Sequence, residues 1–227
     1  VPASLGLFHV DPRADVFATA MSAIPLGMLL NVAFLGVWRI WPIRAGDRPT
    51  ALVETLGLSL GFWIAGALLL VVVRESLTPN MTRDVLVGVV ALVVTVFLGA
   101  RACRNAPPSP KGSRRVGLRV LLLRGIGAGA AIACGVALGR AGWMTAAGMA
   151  SVFPAIFLTS MLATWMAQGK AVPIGASGPM MLGSVAVSIY ALACAFSMPW
   201  VGPLGGSILG WIAGSVFGSL PAYLWLK

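Results

Sequence analysis

The sequence is short of charge, and its charge is unevenly placed. Only 10% of its 227 residues are charged, and all six carboxylates (Asp11, Asp15, Asp47, Glu54, Glu75 and Asp84) precede residue 85. From residue 85 to the C-terminus there are ten Lys or Arg and no acid. That half therefore has no carboxylate for a proton relay, a hard-cation site or general acid catalysis. Histidine is nearly absent too: His9 is the only one. The three cysteines, Cys103, Cys134 and Cys194, lie far apart with no CxxC spacing. A zinc or haem site built by this chain is not expected, and no metal or cofactor is assigned. HExxH and the Walker GxxxxGK[ST] pattern are missing, as are a Ser-His pairing and an intramembrane aspartate pair, so no enzyme is expected. The chain opens on Val without a basic n-region and an apolar h-region, which reads as a processed or truncated start.

What is present is apolar. Hydrophobic residues make up 59% of the chain and the mean hydropathy is +0.94. One soluble core could not hide that much apolar surface, which places the chain in the all-α, multi-pass membrane class. Seven runs can cross about 30 Å of hydrocarbon: residues 16–38, 53–73, 84–102, 117–139, 143–167, 178–198 and 201–225. Trp38, Trp41, Trp143, Trp200 and Trp225 fall near their ends, as an interfacial aromatic belt would. Ala106–Arg115, "APPSPKGSRR", is polar, proline-rich and basic, hence a linker.

The net charge of +10 does not indicate nucleic acid, because the bases cluster between apolar runs. One set of alternate loops holds Arg39, Arg44, Arg48, Arg101, Arg104, Lys111, Arg114, Arg115, Arg119, Lys170 and Lys227; the other holds Arg13, Arg74, Arg83 and Arg140. The positive-inside rule puts residues 103–116 and the C-terminus on the inside of a bacterial inner membrane or an organellar membrane, with residue 1 outside.

Residues 18–62 can be laid on 147–188, matching Pro25 with Pro154, Pro42-Ile43 with Pro173-Ile174, Pro49 with Pro179 and Gly57 with Gly183. The reading is two parallel repeats, 1–105 with three helices and 117–227 with four, joined by the linker 106–116. The counterpart of the fourth run would then precede residue 1. Residues 117–225, with "AAGMASVFPAIFLTSML", the Gly169 loop, Tyr190-Ala-Leu and a glycine-rich last run carrying Trp211, resemble the GlpM-like and related uncharacterised four-helix inner-membrane proteins. The resemblance implies four helices per unit and a duplicated architecture, and it supplies no catalytic residues.

Gly202, Gly206, Gly210, Gly214 and Gly218 recur every fourth residue, which gives one helix face on which another helix packs closely. The fourth run carries a shorter version in Gly125, Gly129, Gly135 and Gly139 and is one candidate to pack on it, but the sequence does not identify the facing helix. Pro25 and Pro154 are expected as symmetry-related kinks. With Ser22, Asn31 and Ser160 they would line a polar pathway at the repeat interface. Arg124 is read either as snorkelling or as a buried partner of Glu54. In "GKAVPIGASGPMMLGS" (Gly169–Ser184), Ser177 or Gly178 is expected as a helix N-cap with Pro179 as the first helical residue. Any anion there would be held by Lys170 with Arg44 or Arg48.

Two functions emerge. One is a permease or channel for a small solute or anion between the repeats. The alternative is a non-catalytic structural or assembly subunit of a larger membrane complex. The implied partners are the lipid bilayer and a homo-oligomer or larger membrane complex, with no nucleic acid.

Overall fold

The computed structural model describes residues 2–11, 13–78, 80–105 and 117–227, so the linker 106–116 lies outside the described residues. Helices account for the described chain: α1 (Pro2–Val10), α2 (Ala14–Ala45), α3 (Ala51–Glu75), α4 (Met81–Arg104), α5 (Leu118–Arg140), α6 (Met144–Ala150), α7 (Ala155–Gln168), α8 (Ala171–Ala213), a π-helical turn at Gly214–Ser219, and α9 (Leu220–Leu226). Six stretches are long and apolar enough to cross a membrane. The protein is an all-α polytopic membrane protein, the helix being the element that meets its own backbone polar groups where hydrocarbon offers no partner.

The last stretch, Ala171–Leu226, has 56 residues. Straight, it would extend roughly 84 Å, far more than the bilayer. It folds back at Gly202, whose φ of 74° is open to glycine but strained for other residues. Its two arms correspond to the last two expected runs. The glycine series is what lets them touch. A Cβ on Gly218 would sit 2.5 Å from the Ala186 Cα, one on Gly214 2.7 Å from the Ala186 carbonyl oxygen, and one on Gly210 2.6 Å from the Cys194 sulfur. Gly206 lies equally close to Met198. The partner of this face is therefore the first arm of α8 and not α5, and Gly202 makes the bend instead of packing.

Helix α2, apolar over most of its length, is the central post. In its most apolar 18-residue window 72% of residues are buried, and α8, α4, α3 and α6 surround it. A helix apolar all round is stable only when enclosed. By contrast α3 and α5, with 22% and 6% of the corresponding windows buried, turn their Leu, Ile, Val and Phe outward, as a lipid-facing surface requires. Short α1 caps one end, with Leu7 buried, Phe8 edge-on to Phe17 at 5.2 Å and Ser4 Oγ 2.5 Å from the Tyr190 hydroxyl.

The two prolines expected as matched kinks behave differently. Pro25 lies inside an unbroken α2, whereas Pro154 is the N-cap of α7 after a break at Ser151–Pro154. Proline lacks a donor and disfavours helical backbone at the residue before it, here Phe153. The other repeat markers also differ: Pro42 lies late in α2 and Pro173 early in α8, while Pro49 precedes α3 and Pro179 lies inside α8. Helix α8 begins at Ala171 with Lys170 as N-cap, so Ser177, Gly178 and Pro179 do not open it. Gly178 instead lets α8 approach the α4 backbone, where its Cβ would lie 3.2 Å from Ala102 and Cys103.

Candidate functional site

The turns at Gly46 and Gly169 and the last residues of α4 and α9 gather at one end of the bundle. That end carries Arg39, Arg44, Arg48, Arg101, Arg104, Lys170 and Lys227 and is called the basic end here. At the opposite end, three helices deliver one charged cluster. Asn80 caps α4 by accepting a bond from the Arg83 amide at 3.0 Å, which places Asp84 in the first turn, where the helix dipole favours an acid. Arg74 ends α3, and Thr19 and Ser22 line α2.

Asp84 is 1% exposed and Arg74 8%. Their ion pair is 3.0 Å long, and Arg83 reaches the same carboxylate oxygen at 2.8 Å. Thr19 Oγ1 donates to the second oxygen at 2.6 Å, and Arg74 Nη2 donates to Ser22 Oγ at 3.1 Å. Ser22 itself donates to the Thr19 carbonyl. Two guanidiniums face one carboxylate, and Arg74 Nη1 is buried without a hydrogen-bond partner among the described residues. Nearby, Glu75 accepts the Thr145 amide at 2.8 Å and ties α3 to α6.

Half-way along α2, Asn31 forms a second knot. Trp63 Nε1 donates to its oxygen at 2.8 Å, and Asn31 Nδ2 donates to the Val152 carbonyl at 3.0 Å. That carbonyl is free because the helix breaks before Pro154. Trp63 packs edge-on to Phe153 at 5.2 Å. A buried amide in hydrocarbon needs such partners, since each unmet polar group costs several kcal/mol.

Of the residues expected along a pathway, Asn31 and the Pro154 break do meet, and both prolines are buried. Ser22 is turned to Arg74, and Ser160 donates back to the Ile156 carbonyl of its own helix at 2.5 Å. At the basic end, Lys170 Nζ donates to the Gly46 carbonyl at 2.7 Å and pairs with Asp47 at 2.5 Å. Beside Lys170 the Asp47 carboxyl is held below the usual carboxylate range by hydrogen bonding and charge. Arg48 lies exposed on its turn, and Arg44 lines a groove of about 470 Å³ between α2 and α3. Glu54 accepts from Trp41 Nε1 at 3.1 Å and Thr50 Oγ1 at 2.6 Å, so its partners are these and not Arg124.

The Arg74–Asp84 cluster was not legible as a site, because its members sit at the ends of two apolar runs, where charges usually mark loops. The available signal was the opposite sign of Arg74 and Asp84 at facing ends of one hairpin. Compared with known proteins, the chain matches no family model, no curated protein and no solved structure.

Proposed function

We propose that the protein is a non-catalytic assembly subunit of a larger membrane complex, with α5 as the face that receives a partner transmembrane helix. One observation carries this reading. In a bundle whose centre is closely packed, α5 has only 6% of its apolar window buried, and among the described residues nothing lies within 4 Å of where a Cβ on Gly125 or Gly129 would be. Small residues on a bare helix face allow the close backbone approach on which helix association in lipid depends. An apolar groove of about 600 Å³ beside it, walled by Trp63, Ala131, Met149 and Phe153, adds shape to that face. The basic end faces the inside on the positive-inside rule, and the GlpM-like resemblance contributes an architecture of helical units without chemistry.

The test is the size of the complex extracted from native membranes, read by native mass spectrometry. Gly125→Leu with Gly129→Leu releases the monomer on this reading, while an unchanged complex, or a wild type that is already monomeric, overturns it. A small-anion permease is the second reading, favoured by Arg74 Nη1, a buried cationic donor without a partner among the described residues. Reconstituted vesicles distinguish the two: chloride or phosphate flux above protein-free vesicles, slowed by Arg74→Met and Asn31→Leu, would establish transport.

A further inference from the structure

The basic end holds two grooves that share one mouth. Between α4 and the folded arms of α8 runs a groove of about 680 Å³, walled by Val93, Val96, Phe97, Val185, Ile189 and Phe217, with Arg101, Arg104 and Asn105 at its opening. Phe217 belongs to the π-helical turn, a local irregularity that is frequent at functional positions. On the other flank of α4 a groove of about 420 Å³ runs between α4 and α2, past Leu29, Ala33, Leu98 and Met181, and opens at Arg39, Arg101 and Asn105.

The lengths of these grooves match one leaflet. Along α4 from Arg101 back to Leu92, and along α2 from Arg39 back to Leu29, the rise is roughly 14–15 Å, about half of the hydrocarbon thickness. A soluble anion has no use for such walls, and a helix about 10 Å across would fill roughly 1100 Å³ over that length, more than either groove holds.

The charges at the mouth are available. Among the described residues the ion pairs are Arg13–Asp11, Arg74–Asp84, Arg83–Asp84 and Lys170–Asp47, so none occupies Arg39, Arg101 or Arg104. Arg39 Nη2 donates to the Asn105 carbonyl, which fixes it at the mouth, while its Nη1 is buried without a hydrogen-bond partner among the described residues. Arg104 lies over the Trp225 ring at 5.0 Å, which orients the guanidinium at the depth where Trp residues mark the membrane interface.

The geometry points to a binding site for an anionic phospholipid, its phosphate on Arg101 and Arg104 with Arg39 behind them, and one acyl chain along each flank of α4. The inference is independent of the assembly reading above, because it uses neither α5 nor a protein partner.

Native mass spectrometry of the purified chain, titrated with phosphatidylglycerol or with phosphatidylcholine of the same chain length, tests it. One retained phosphatidylglycerol is expected, in preference to phosphatidylcholine. Arg101→Gln with Arg104→Gln should weaken it about thirty-fold, from roughly one interfacial charge's worth per arginine. Val93→Trp, which fills a groove without touching charge, should weaken it too, and Arg48→Gln should not. Circular dichroism checks that each variant keeps its helix content, and if the double variant misfolds, Val93→Trp and Arg101→Gln alone carry the test. Equal retention of the two lipids, or undiminished retention in the folded variants, overturns the site. Displacement of the lipid by millimolar inorganic phosphate would show a plain anion site and overturn the lipid assignment.

Discussion

Arginine serves opposite purposes at the two ends of this bundle. At the end where α3 stops and α4 starts, Arg74 and Arg83 converge on Asp84, Thr19 donates to the same carboxylate and Ser22 accepts from Arg74. At the basic end Arg39, Arg101 and Arg104 face no carboxylate among the described ion pairs and open onto apolar grooves. The difference follows from where the acids fall: α4 begins with the last carboxylate of the chain and ends with bases only. A guanidinium with an acid at hand becomes a brace, and one without it stays free to meet an anion from outside the protein.

Removing the acid should break that contrast most sharply. Asp84→Ala leaves Arg74 buried beside Arg83 with nothing between them, and a loss of about 3–5 kcal/mol is expected in denaturant unfolding in micelles. Pairing it with Arg74→Met should recover most of the loss, because the uncompensated charge then leaves with its partner. The next effect concerns the level between the two ends. Asn31→Leu strands Trp63 Nε1 and the Val152 carbonyl, at about 1–3 kcal/mol, while Ser160→Ala, whose hydroxyl only bonds back to its own helix, should change unfolding by less than about 0.5 kcal/mol.

The contrast can also be tested from the basic end. Asn105→Asp places a carboxylate at the shared mouth beside Arg39, Arg101 and Arg104, and phosphatidylglycerol retention should fall roughly five-fold, the effect of neutralising about one charge. The smallest effect is that of the exposed Lys170–Asp47 bridge, in which Asp47 is 98% exposed. Its carboxyl is held below the ordinary range when folded, so the bridge contributes fully above the ordinary carboxylate pKa and fades as pH falls through the lowered value. A thermal midpoint that drops slightly more between pH 7 and acid in the wild type than in Asp47→Asn is the expected outcome, smaller at high salt.

Much of the architecture is legible in one dimension because lipid makes the physics simple. A run long and apolar enough must be a spanning helix, and the expected runs correspond to helical segments, including both arms of Ala171–Leu226. The glycine period at Gly206, Gly210, Gly214 and Gly218 announces a close helix contact but leaves its partner open, since a period says nothing about which surface faces it; the structure supplies the first arm of α8. Proline was ambiguous for the same reason. Pro25 and Pro154 look alike in sequence, but α2 stays continuous within the bundle core while the chain before Pro154 opens where Asn31 can take up the Val152 carbonyl.

The sequence by itself determined the solvent, the helical class and the segregation of charge, since these depend on composition and on distances of a few residues along the chain. Only the tertiary structure decided which arginines are spent and which are free. Arg74 and Asp84 meet on α2 because α3 and α4 both pack against that helix. Arg101 acquires grooves on both flanks because α2 and the folded arms of α8 pack beside α4 without covering the last turns of that helix. The support of the Arg74–Asp84 ion pair by Thr19 and Ser22 and the grooves beside Arg101 are both set by contacts between residues far apart in the chain.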